Sequence, residues 1–403
     1  MRATQVLQRC LTSALTPMHA LRRQILLLAV ESLLAGRRLV LIDLARSWLG
    51  AERIRAPLKR LDRLLGNRHL HAERERLYGG MVQWLIRTPA PIIVVDWCRL
   101  KADGHWHLLR AAVPVGGRTL TLFEQVFPER QLASPKAERR FLLCLKALLP
   151  PDIRPILVTD AGFRAPWCRT VEAMGWHWIT RLRHRTHLKP VEVEDCPDQW
   201  MPCRALHGLV RPAHARNLGM FDLVRSAPIQ ARLVLYARAP QGRQHITLKG
   251  ARRRNKHSRQ CARREAEPWL LAVSPSLENM TVPQIVAVYR RRMQIELSFR
   301  DLKSHRDGHA YEDSLTRKRE RIEVLLLLHA LAMFVSWLAG MAAEAIDAQD
   351  NLNPYPASRR LYSLVRLGRE ALLRRWLTCP VQAMLDALHR LSPEASQNMA
   401  FSA

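Results

Sequence analysis

Acidic side chains are scarce in this chain. Asp and Glu number 35 in 403 residues against 64 Lys and Arg, a formal charge of +29. An excess of that size repels itself in a compact state and calls for an anionic partner, nucleic acid before a membrane surface. Cysteine pairs are missing as well. The eight cysteines (Cys10, Cys98, Cys144, Cys168, Cys196, Cys203, Cys261 and Cys379) include no C-x2-C pair, which excludes a zinc-ribbon pattern. No signal-peptide pattern opens the chain, so reduced thiols and a cytoplasmic, nucleoid-associated protein are expected. His69/His71 and His105/His107 alternate without a Cys or acid at metal-site spacing, and are assigned structural or solvent roles. Apolar runs of bilayer length are reduced to one, Val324 to Ala343. His329 and Ser336 interrupt it and a charged segment precedes it, so it is read as a buried core helix, with no membrane contact.

What the chain does have begins with a basic helical segment. Residues 1–88 hold 16 Lys/Arg and 6 Asp/Glu. Apolar positions recur at helical spacing through Leu21–Leu34, Leu39–Leu49 and Leu58–Leu65. The stretch Leu39–Leu49, Gly50, Ile54–Leu65 predicts helix, tight turn, helix, with Pro57 tolerated in the second helix's first turn. Arg53, Arg55, Lys59, Arg60 and Arg63 decorate that second helix. The pattern suits a helix-turn-helix reader of duplex DNA; an ordinary hairpin with a basic face has the same pattern.

Pro89 and Pro91 mark a boundary, after which the period changes. Ile92-Ile93-Val94-Val95-Asp96 is a β-branched run ending in an acid. Leu108–Val115 and Thr119–Phe127 follow as strands joined by Gly116-Gly117, a hairpin signal. A helix over Pro135–Leu149 leads to a second buried strand ending in Asp, Pro155–Asp160. Three antiparallel strands, a crossover helix and a parallel strand make the order of an α/β, ribonuclease H-like catalytic core. Helix and strand continue to Arg183. From 185 to 265 the pattern is loop-rich, with one clear strand at Ala231–Ala237 and a basic low-complexity run from Lys249 to Arg264. The expected organisation is therefore a helical DNA-end-binding domain at 1–88, a core at 89–184 and 266–320, a loop- and β-rich insertion at 185–265, and a helical region at 321–403 suited to dimerisation. The last region holds 8 Lys/Arg and 7 Asp/Glu, so protein packing suits it better than DNA contact.

One segment carries most of the chemistry. Tyr289, Arg292, Glu296 and Lys303 are spaced Y-x2-R-x3-E-x6-K. On one continuous helix they fall near 0°, 300°, 340° and 320°, a face about 60° wide, with Ile295, Phe299 and Leu302 beside it. Cations and a phenol suit phosphate oxygens, and the Glu between them suits a metal ion. A solvated stripe of Glu with Arg and Lys is the plainer alternative. Asp96 and Asp160, at strand ends, join Glu296 to make three acids that repel one another unless a cation neutralises them. Oxygen ligands select Mg²⁺ or Mn²⁺, and a pair of such ions serves in-line phosphoryl displacement.

These residues resemble a family. Val95-Asp96-Trp97, Val158-Thr159-Asp160-Ala161-Gly162-Phe163, Glu267-Pro268-Trp269 and the run from Arg292 to Lys303 are similar to those of bacterial insertion-sequence transposases of the DDE type, family four, marked by the YREK signature, and especially its transposon-ten branch. Asp62 to His71 and Val365-Arg366-Leu367-Gly368 add matches at either end. The resemblance implies Asp96, Asp160 and Glu296 as catalytic metal ligands, and Tyr289, Arg292 and Lys303 as contacts to the phosphates of the transposon end. It implies Trp269 as the aromatic that stacks on a flipped base. It also implies a dimer acting on double-stranded terminal repeats and target DNA by cleavage, hairpin formation and strand transfer. Two other classes share parts of the pattern: a non-catalytic DNA-binding protein derived from a transposase, and a nuclease on the same core. The intact acids argue against the first. The YREK set argues against the second, because a simple nuclease need not retain a cut end.

Overall fold

The computed structural model describes residues 3–86, 88–183, 186–191, 199–239, 255–256, 260, 267–306, 308–346, 352 and 361–374. The chain gathers into two compact units, one of Met1–Pro155 with Met293–Ala403 and the other of Ile156–Arg292.

In the first unit the predicted strand residues form β1 (Ile92–Arg99), β2 (Trp106–Pro114) and β3 (Thr119–Pro128), antiparallel in the order β3-β2-β1. The β2–β3 turn needs glycine: Gly116 and Gly117 have φ of 61° and 95°, which L side chains rarely adopt. Around these strands lie α1 (Ala3–Cys10), α2 (Thr12–Leu15), α3 (Ala20–Gly36), α4 (Leu41–Arg46), α5 (Arg55–Leu65), α6 (Arg68–Leu85) and α7 (Pro135–Leu148). The first helix of the expected helix-turn-helix is shorter than its apolar pattern. It stops at Arg46, and the turn to α5 passes through Gly50 at φ 74°. Pro57 does lie in the first turn of α5, and α4 and α5 pack on each other.

The long apolar run is the core of this unit. It forms α11 (Arg319–Glu344), which packs on α3, α5, α6 and β3. Protein covers 94% of its most apolar window. Apolar residues surround the whole helix, as a fully buried helix requires. Its N-terminal turn is tied to the sheet by charge: Glu323 accepts from Arg74 of α6 at 2.6 Å and from the backbone N–H of Val126 at 3.1 Å. The C-terminal region continues with α12 (Leu364–Leu373), packed on α11; residues 375–403 lie outside the described residues.

The second unit holds β4 (Ile156–Thr159), α8 (Ala165–Ala173), β5 (His177–Leu182), β6 (His187–Pro190), β7 (Met201–Pro202), β8 (Ala215–Leu223), β9 (Ile229–Tyr236), β10 (Trp269–Val273) and α9 (Val282–Arg290), its strands running in the order β4-β5-β10-β9-β8-β6-β7. Among its described residues β4 and β5 pair in parallel and the other strand pairs are antiparallel. The stretch from 187 to 236 is richer in strand than its sequence promises. Strand β8 begins with exposed Ala215, Arg216 and Asn217 and carries a register shift at Gly219, so apolar alternation is lost there. Most of the basic run Lys249–Arg264 lies outside the described residues.

The continuous helix expected through Tyr289–Lys303 is two helices. Helix α9 ends at Arg290, where the amides of Arg291 and Arg292 bond back three residues, and α10 (Met293–Lys303) begins afresh. The cause is visible in burial. α9 buries Ile285, Val286, Val288 and Tyr289, while α10 buries Ile295, Ser298, Phe299 and Leu302. On one straight helix these two apolar faces would point about 110° apart. Tyr289 and Arg292 belong to the second unit, Glu296 and Lys303 to the first.

Candidate active site

Three signature-related residues meet in the first unit. Asp96, Glu296 and Lys303 line one open pocket of about 470 Å³, with Trp97, Phe299 and Arg300 also in its wall. Asp96 reaches it from β1, 9% exposed, and its Oδ1 accepts the backbone N–H of Trp97 at 2.8 Å. Directly across the strands, Asp96 stands opposite Arg110 and Arg110 opposite Glu124, so the three side chains share one face of the sheet. Arg110 Nε donates to Glu124 Oε2 at 2.8 Å, and the guanidinium lies 5.2 Å from the centre of the Phe299 ring.

Helix α10 is held by the β2–β3 turn. Gln294 Oε1 accepts from Gly117 N at 3.1 Å, Ser298 Oγ from Thr119 N at 3.0 Å, and Asp301 Oδ2 from Arg118 Nε at 2.6 Å. Residues 294, 298 and 301 are spaced to share a helix face. The stripe Glu296, Arg300 and Lys303 is thereby turned to the pocket. Lys303 Nζ donates to the carbonyl of Arg99 at 2.8 Å, which sets it at the end of β1. Burial raises the pKa of Cys98, so that thiol is neutral.

The other residues of the set lie in the second unit. Asp160 follows β4 in a turn that depends on its own side chain: Oδ1 accepts from Gly162 N at 2.7 Å, and a Cβ at Gly162 would come within 2.9 Å of that oxygen. Thr180 of β5 donates to the Asp160 carbonyl at 2.9 Å. Tyr289 is 3% exposed, and burial raises its pKa, so the phenol stays protonated. Its ring meets Trp269 edge-on at 5.0 Å. Trp269, 6% exposed, also meets Tyr236 at 5.6 Å and lies under the guanidinium of Arg238 at 5.5 Å. Tyr289 and Trp269 are thus core packing partners in this structure.

Arg181 and Arg183 were not among the residues singled out from sequence. Arg181 is on β5 and Arg183 just past its end, two residues on, the period-2 signal of one strand face, and they share Glu267 at 3.4 and 3.1 Å. Burial, then the neighbouring Arg183, lowers the Arg181 pKa to about 10. Both bear electrostatically on Tyr289, as do Arg292 and Asp160. In the first unit, Arg55, Lys59, Arg60 and Arg63 are exposed on α5.

Asp96 and Glu296 are hard oxygen donors lining one pocket, a set that fits Mg²⁺ or Mn²⁺. Among the described residues, no group of three or more His, Cys, Asp or Glu side chains is close enough to hold a metal ion.

An α/β core with one acid within β1, one just after β4 and one on α10 has the make-up of a ribonuclease H-like enzyme core. The chain belongs to the transposase DDE domain family, whose model matches residues 87–335. Members are DNA-cleaving and DNA-transferring enzymes and generally use divalent metal ions. A solved structure of a piggyBac transposase synaptic complex with hairpin DNA aligns with 94% of this chain and 75% of its own, at 10% identity and a TM-score of 0.40. No curated protein matches the chain.

Proposed function

We propose that this protein is a cut-and-paste transposase of insertion-sequence family four, carrying the YREK signature and acting as a dimer on paired DNA ends. The observation that carries the reading is the shared pocket of Asp96 with Glu296 and Lys303, two residues of one helix far from Asp96 in sequence, all inside the family match. Asp96, Asp160 and Glu296 would hold divalent metal, which supplies activation of the attacking oxygen and stabilisation of the leaving one. Lys303, with Tyr289 and Arg292, would grip non-bridging phosphate oxygens and keep the cut end in place. Water attack at phosphorus breaks the bond to the 3′ oxygen and frees a 3′-hydroxyl. That hydroxyl attacks the opposite strand to close a hairpin, and after reopening it joins target DNA. Trp269 would receive a base flipped from the strained hairpin. The basic segment 1–88, with Arg55, Lys59, Arg60 and Arg63 exposed, would read the terminal repeat.

The test uses Asp96→Asn, Asp160→Asn and Glu296→Gln on DNA carrying the inverted repeats that flank the gene. Each substitution should abolish strand cleavage in Mg²⁺ while end binding persists. Near-normal cleavage by any of the three would overturn its assignment.

A further inference from the structure

A second cavity in the first unit, of about 510 Å³, is walled by Arg37, Arg118, Arg300, Arg306, Arg366 and Arg369. Among the described residues its wall contains one carboxylate, Asp301, which is engaged by Arg118 at 2.6 Å. Arg369 is 8% exposed and, among the described residues, its Nε has no hydrogen-bond partner; Glu370 approaches the guanidinium at Nη2, 3.6 Å away. His309, also in the wall, is fully buried, and its pKa falls to about 3 through burial and then the charges of Arg369 and Arg37. The field within the cavity is therefore positive.

The Val365-Arg366-Leu367-Gly368 motif builds part of this wall. Helix α12 crosses α11 with Gly368 against Gly340: a Cβ on Gly368 would collide with the carbonyl of Ser336, and one on Gly340 with that of Leu364. This close approach brings Arg366 and Arg369 to the cavity. Planar guanidinium forks match phosphate oxygens in geometry as well as charge. Arg300 belongs to the walls of both this cavity and the Asp96–Glu296 pocket, so the two adjoin along α10. A DNA strand with one phosphate at the carboxylates would run on past Arg300 towards the other arginines.

We propose that the arginine cavity is a second anion site, binding backbone phosphates of the DNA strand that passes the Asp96–Glu296 pocket, an inference that rests on the DNA-processing reading above. The probe is a fluorescent duplex of about 40 base pairs and arbitrary sequence, titrated with the full chain over a range of NaCl. Arg306 and Arg366 are exposed, so the double variant Arg306→Gln/Arg366→Gln should fold. The slope of log affinity against log salt should fall by about 2, one for each lost phosphate contact. A control, Arg139→Gln/Arg140→Gln on exposed positions of α7, should leave it unchanged. An unchanged slope in the first variant, or an equal fall in the control, overturns the site while leaving the transposase reading intact. A wild-type chain that binds no duplex overturns both. Inorganic tripolyphosphate separates the remaining source. If it raises the Tm of the wild type but not of the variant, and the salt slopes are equal, the cavity takes free polyphosphate and the DNA assignment fails.

Discussion

Arg110 stands directly across the sheet from Asp96, with Glu124 in the same row one strand further on. Arg110 is 1% exposed and Glu124 is fully buried, and Tyr78 donates to the other Glu124 oxygen at 3.0 Å. Glu124 thus balances a guanidinium that would otherwise face Asp96 alone. Neutralising Glu124 leaves a buried charge without its partner, a change that costs about 3–5 kcal/mol. Glu124→Gln should lower the free energy of urea unfolding by that amount, and should raise the Mg²⁺ concentration needed for cleavage as Arg110 turns to Asp96. A loss below about 1 kcal/mol with an unchanged Mg²⁺ requirement would refute this.

His309 and His329 share a hydrogen bond between their Nδ1 atoms at 2.8 Å, deep in the first unit. Burial lowers both pKa values, that of His309 to about 3. The folded state therefore refuses protons that the unfolded chain accepts below about 6.5. Stability is full above pH 7 and falls as the pH drops towards 3, by up to about 1.4 kcal/mol per pH unit for each imidazole. Urea midpoints between pH 7 and 5 should fall accordingly, and His309→Gln/His329→Gln should flatten the profile. The same decline in the double variant would show that other groups cause it.

Trp269 packs between Tyr236 and Tyr289, so truncation has a structural effect in any case. Trp269→Ala should destabilise the fold by about 3–5 kcal/mol. If the ring also receives a flipped base, hairpin formation should slow by roughly 10- to 100-fold while the first nick is spared. Resolving nicked, hairpin and flush-ended products over time distinguishes the two: equal slowing of both steps would leave Trp269 as core alone.

Helix α5 offers four exposed cations and little else. Replacing Arg55, Lys59, Arg60 and Arg63 with Gln should leave Tm within about 1 °C of the wild type, since surface substitutions away from special contacts are near neutral. It should weaken binding to terminal-repeat DNA and reduce the salt slope. Undiminished binding in a gel shift would remove this helix from the DNA interface.

Much of the core was legible because its periods are clean. The β-branched run of residues 92–95, the Gly116-Gly117 turn and the apolar run of α11 each have one physical solution, and the structure adopts them. The strand β8 was not legible, because its exposed start and the shift at Gly219 erase the alternation. The break between α9 and α10 was hidden for a different reason. The wheel assumes one straight helix, and only burial against two separate cores reveals the change of face at Arg291-Arg292. Of the candidate site, the spacing of Glu296 and Lys303 on one helix face was legible, whereas β1, read as ending at Asp96, runs on to Arg99 and holds Asp96 within the strand. Arg366 and Arg369 could not be placed by sequence, since they reach their cavity through the crossing of Gly368 on Gly340.

The first unit leaves off at Pro155 and resumes at Met293, with the 137 residues from Ile156 to Arg292 between. Asp96 is therefore synthesised long before Glu296. At roughly 5–20 residues per second, a ribosome needs on the order of 10–30 s to cross the gap. During that interval β1 to β3 lack α10 and α11, the helices that cover them. The carboxylate pocket is among the last parts of the molecule to be born, and a chain that stops before residue 293 can own Asp96 and Asp160 without ever owning the pocket.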